Sequence, residues 1–153
     1  MLTGLLHIHN FLRYIILLLI LISIVKSFSG WMGKKQYTPG DKRFALFTLI
    51  AAHLQLVVGL ILYFISQNVK VGLANMGEAM KNSELRFWTV EHILMMLISI
   101  VLITLGYSLA KRAKENIGKH KRVAIYFLLA LVIIFLAIPW PWSAVSRGWI
   151  PGM

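Results

Sequence analysis

Five ionisable residues fall within long apolar runs: His9 and Arg13 in the first, His53 in the second, and Glu91 with His92 in the third. An ionisable side chain inside a membrane span is costly enough to mark a functional position. His7 and His120 lie near the ends of their runs and read as solvated. With no cysteine in the chain, disulfides, thiolate metal sites and thioether-tethered cofactors are excluded. A metal would have to use His, Met, carboxylate or backbone ligands. No nucleophile with an adjacent base, no carboxylate pair and no phosphate-binding glycine loop is present, so no residue is assigned to covalent catalysis.

Helical rise ranks these residues by depth. From His9 to Lys26 a helix climbs about 26 Å, and from His92 to Lys111 about 28 Å, so the two histidines lie at one level, measured from the first basic residue at the cytoplasmic end of each run. His53 stands only about 15 Å from Arg43, roughly 10 Å off that level. It reads as a lone histidine, beside Gln55, that hydrogen-bonds across to a neighbouring helix.

The elements that must hold these residues follow from composition. Of 153 residues, 59% are hydrophobic and 14% charged, more apolar than a soluble domain of roughly 45–50%. A bilayer core of about 30 Å takes roughly 20 helical residues, and four runs qualify, near residues 5–28, 44–66, 86–110 and 123–138. The first lacks the basic start and small-residue cleavage site of a secretory signal and reads as a retained span. Gly30 with Gly33 is expected to end it, and Pro139 with Pro141 to end the fourth. The segment from Gln67 to Leu85 is the longest break, and the tail to Pro151 carries one charge, Arg147.

A net charge of +11 would suggest nucleic acid in a soluble protein, but the basic residues concentrate in two short connections. Lys34, Lys35, Lys42 and Arg43 lie in one; Lys111, Arg112, Lys114, Lys119, Lys121 and Arg122 lie in the other. Both face anionic headgroups on the cytoplasmic side by the positive-inside rule. That places both termini and the Gln67–Leu85 segment outside the cytoplasm, with a lipid bilayer and no nucleic acid as partner. Trp31 and Tyr37 at one boundary, and Trp88, Trp140 and Trp142 at the other, suit interfacial aromatic belts. Short connections make neighbours antiparallel. The expected fold is therefore all-α, an integral membrane four-helix up-down-up-down bundle forming a single domain, with helices one and three diagonal.

Diagonal helices about 11–14 Å apart at their axes leave room for an iron with one imidazole on each face. Bis-histidine heme b needs this: neutral imidazoles as metal ligands, a dry cavity, and polar residues for the propionates. His9 and His92 are the candidate axial ligands. Arg13 and Trp88 share faces with them at four-residue spacing. The Arg13 fork suits a propionate or an ion pair with Glu91. Met95 and Met96 read as packing, and Gly59 admits a flat macrocycle or another helix. Two rival readings use the same residues. In one, His9, Arg13, Glu91 and His92 form a polar cluster that fixes helix register in a non-redox subunit. In the other, His7, His9 and His92 hold copper or zinc, which requires an extended N-terminus because His-x-His spacing puts the first two on opposite helix faces.

The fragments His9-Asn10-Phe11-Leu12-Arg13-Tyr14, Leu54-Gln55-Leu56-Val57-Val58-Gly59-Leu60-Ile61-Leu62-Tyr63, Arg86-Phe87-Trp88-Thr89-Val90-Glu91-His92 with Met95-Met96, and Ile138-Pro139-Trp140-Pro141-Trp142 resemble a family of small four-helix bacterial membrane proteins labelled cytochrome b-like. That family is itself distantly similar to one half of heme A synthases. The resemblance implies a bacterial inner membrane protein, with His9, Arg13, Glu91 and His92 as its site residues. The chain lacks the Glu-x-x-His-Arg motif of heme A synthases, so their catalytic role does not transfer. The leading reading of these residues is electron transfer to or from a quinone or a periplasmic redox protein, in a homo-oligomer or a larger membrane complex.

Overall fold

The computed structural model describes residues 2–145; Arg147, Trp149 and Pro151 of the tail lie outside them. Among the described residues the regular structure is helical, with no strand. Helix α1 spans Leu2–Met32 and α2 Pro39–Ile65. Three short helices follow, α3 (Gln67–Ala74), α4 (Met76–Lys81) and α5 (Ser83–Arg86). A π-helical turn, Phe87–Glu91, then leads into α6 (His92–Arg112), and α7 spans Asn116–Ala137. Four helices are long and apolar enough to cross a membrane: α1, α2, the continuous Ser83–Arg112 and α7.

The boundaries correct several sequence expectations. Helix α1 continues through Gly30 to Met32, then leaves through Lys34 with φ 50°. Gly30 does not end the helix, because its missing side chain serves packing: a Cβ there would clash with the ring of His120. Helix α2 begins at Pro39, not near Phe44. Thr38 caps it, its hydroxyl accepting from the Asp41 amide while the Asp41 carboxylate accepts from the Thr38 amide, and Pro39 takes the first helical position, where its missing N–H costs nothing. Helix α7 starts at Asn116, so Lys119, His120, Lys121 and Arg122 belong to its first turns. The long break between α2 and α6 is itself largely helical.

Helix α1 packs on α2 and α7, and α6 packs on α7 and α2, so α1 and α6 face one another across the interior. Helices α1 and α2 run in opposite directions. Along α1 and α2, His9 meets Gln55, Ser23 meets Thr48, and Lys26 meets Asp41. The fully buried centre is made of Ile20, Ile103, Val123 and Phe127. Ala45, Ala52, Ala110, Ala124 and Ala130, buried as well, let helices approach closely, as small residues do in membrane bundles. The outward faces are apolar too, including Leu18, Val25, Phe47, Val57, Val101, Phe135 and Leu136. A helix apolar on every side has its solvent in lipid or protein.

Candidate functional site

A cavity of about 580 Å³ opens between the helices, lined by His9 and Arg13 from α1, Gln55, Gly59 and Tyr63 from α2, Trp88 from the π turn, and His92, Met96 and Ser99 from α6. Each helix contributes one stripe, since residues three or four apart share a face.

The π turn sets the register of the α6 stripe. Its wider ring makes residues five apart neighbours, and Arg86 Nε accordingly bonds Glu91 Oε1 at 2.6 Å. Tyr63 holds the turn from α2 by donating its hydroxyl to the Thr89 carbonyl at 2.9 Å. Of the two roles read for Arg13, a propionate or an ion pair with Glu91, the ion pair is not formed: Glu91 is taken by Arg86 and does not line the cavity. The four-residue polar cluster of the structural reading is thus not assembled as expected.

His92 is oriented by a bond across to α7. Its Nδ1 donates to the Ala137 carbonyl at 2.8 Å; a carbonyl only accepts, so Nδ1 carries the proton and the ring's lone pair lies on Nε2. Ala137 ends α7, where carbonyls lack helical partners. Trp140 Nε1 serves the same helix end by donating to Phe135 O at 2.9 Å, a capping bond beside the interfacial role expected from the sequence. The rings of Phe87 and Trp88 lie 5.6 and 5.7 Å from that of His92.

The His9 ring stands 6.3 Å from the His92 ring, centroid to centroid, with the planes at 63°. Gly59 makes this possible from α2: a Cβ there would come within 3.1 Å of His9 Cε1, so the glycine leaves room for the histidine. Gln55 Nε2 donates to the His9 carbonyl at 2.9 Å. Arg13 Nη2 donates to the Tyr14 hydroxyl at 3.0 Å, and its guanidinium lies 4.8 Å from the Tyr14 ring centre. Its Nε is buried without a hydrogen-bond partner, a donor left beside the cavity.

The other histidines divide differently from expectation. His53 is on an exposed face, and its Nδ1 donates back to Leu49 O at 2.8 Å in its own helix; the bond across to a neighbour comes from Gln55 instead. His7 is exposed, as expected. His120, expected to be solvated, is 1% exposed, packed on Gly30 and 4.9 Å from the Tyr37 ring, with Nε2 donating to Gln36 O at 3.3 Å. The early start of α7 carries it into the interior. Helix α1 is regular through His7 and His9, and the described residues hold no group of three or more His, Asp or Glu able to bind a metal. The copper or zinc reading therefore lacks its ligand set.

Sequence reasoning passed over Tyr63 and undervalued Gln55. Their signal is the four-residue spacing Gln55, Gly59, Tyr63, which places all three on one face of α2. No family model, curated protein or solved structure matches the chain.

Proposed function

We propose that the chain is a multi-pass membrane protein, an up-down-up-down four-helix bundle, that holds heme b between His9 and His92 and transfers electrons. The carrying observation is the ring pair across the cavity. Two imidazoles from α1 and α6, 6.3 Å apart between ring centres, would hold the iron as ligands.

Other features fit the group. The cavity falls within the roughly 300–1,000 Å³ of cofactor sites. His92 has its proton on Nδ1 bound to a backbone carbonyl, the outer-shell bond that orients a metal-ligating histidine. The Arg13 Nε supplies a cationic donor for a propionate. When bound, heme would supply a one-electron iron couple, and two imidazole ligands would favour electron transfer over substrate binding. The chain's own residues orient His92, exclude water with Trp88 and Met96, and counter negative charge with Arg13.

With the basic ends cytoplasmic, the termini and the cavity lie toward the outer face, where a quinone or a periplasmic redox protein would exchange electrons; a bacterial inner membrane follows from the family resemblance. A second reading is supported by the His92–Ala137 bond, which also serves the end of α7: a structural subunit without heme. Protein purified from heme-supplied cells should show a Soret band and a pyridine hemochrome, and His92→Phe should abolish both. Wild type without either signal overturns the cytochrome reading and favours the structural one.

A further inference from the structure

A second cavity, of about 300 Å³, lies at the opposite end of the helices from His9 and His92 and is lined by Tyr37, Lys42, Tyr107, Lys111 and Lys119. The three lysines come from three helices: Lys42 from the first turn of α2, Lys111 from the last turn of α6, and Lys119 from the first turn of α7. Among the described residues none of them pairs with a carboxylate; the nearby Asp41 is taken by Lys26 at 3.0 Å. The connection that shapes the cavity is fastened, with the Tyr37 amide donating to Asn116 Oδ1 at 3.1 Å.

We propose that this cavity binds the phosphate of an anionic phospholipid. Three ammonium groups and two phenols form a site of donors, and no acidic side chain lines it, which matches a phosphodiester and opposes a cation. Each lysine terminates or begins an apolar span, the level at which lipid headgroups meet a membrane protein, and long lysine stems reach such a phosphate readily. Tyr37 is a neutral donor at physiological pH, as any phenol is, and burial foremost, with the charge of Asp41, pushes it further up, to about 12. The lipid source is favoured over free phosphate by that position at the span ends. The site rests on the membrane placement proposed above and is independent of heme.

The test uses full-length protein in detergent, with phosphatidylglycerol, phosphatidylcholine or inorganic phosphate titrated in and bound lipid counted by native mass spectrometry. Wild type should prefer phosphatidylglycerol over phosphatidylcholine. The variant Lys42→Ala/Lys111→Ala/Lys119→Ala should lose that affinity on the order of a hundredfold, while the charge-matched Lys34→Ala/Lys35→Ala/Lys114→Ala keeps it. Circular dichroism checks folding, and Lys119→Ala alone, expected to lose about fivefold, decides the matter if the triple variant unfolds. Equal loss in both triple variants, no loss in the first, or displacement of the lipid by equimolar inorganic phosphate overturns the proposal. Resistance of the wild type to carbonate extraction from membranes tests the placement separately.

Discussion

His92 donates its Nδ1 proton to the carbonyl of Ala137, joining the first turn of α6 to the last residue of α7. Ala137 is fully buried, and its carbonyl stands where the helix can no longer satisfy it. Replacing His92 therefore does more than remove an imidazole.

In heme-free protein, His92→Ala should lower stability by about 1–3 kcal/mol, the usual cost of a buried polar group left without its partner. The measurement is the unfolding midpoint in detergent. An unchanged midpoint would remove the structural role assigned to the bond and leave His92 to ligand chemistry alone.

Arg13 allows a sign reversal to be tested. Its buried Nε lacks a partner, so without a bound anion the group is a burden, and Arg13→Met should leave heme-free stability unchanged or raised. Heme retention should instead fall about tenfold to a hundredfold, the equivalent of about 1.5–3 kcal/mol for a charged hydrogen bond. Arg13→Lys should not restore it, because the planar fork is lost. Parallel titrations of wild type and both variants with hemin measure this; equal heme affinity in all three would detach Arg13 from the site.

The four apolar helices and the shared level of His9 and His92 were legible because hydropathy and helical rise are both read along the axis. Rotation about the axis was not. One π turn puts Glu91 on the face of Arg86, and no apolar pattern announces that turn. His120 was misread for a related reason: basic neighbours on both sides marked a loop, whereas α7 had already begun at Asn116 and turned that one side chain inward. Gly30 looked like a helix stop because a glycine's use in packing depends on what lies opposite, which a single sequence does not contain. Pro39 after Thr38, with Asp41 following, was a readable helix start that the surrounding lysines obscured.

The fit of Gly30 against His120 makes the packing claim measurable. A Cβ at position 30 would clash with the imidazole ring, so Gly30→Ala should cost about 1–3 kcal/mol from overpacking. His120→Ala opens the space, and the double variant should be more stable than the sum of the two losses predicts, with a coupling of about 0.5–3 kcal/mol. Thermal or denaturant unfolding of the four proteins closes the cycle. Strict additivity would mean that the two residues do not share this contact.

Tyr37 offers a test by pH at the basic end. Burial, then the negative charge of Asp41, then Tyr107, raise its phenol from the ordinary 10.0 to about 12. The folded protein thus holds this proton more tightly than the unfolded chain does. The stability so contributed is complete below pH 10 and is lost as pH rises from 10 toward 12. The comparison is with Tyr37→Phe, which removes this phenol and keeps every other titratable group. The stability difference between wild type and Tyr37→Phe should shrink steadily across that interval, and the ultraviolet tyrosinate titration of wild type should show a late phenol that the variant lacks. Asp41→Asn removes the second cause and should bring that phenol down, in part, toward its ordinary range. A phenol at position 37 that ionises at its ordinary value would mean that solvent reaches the ring, and burial could no longer be the leading cause of its shift.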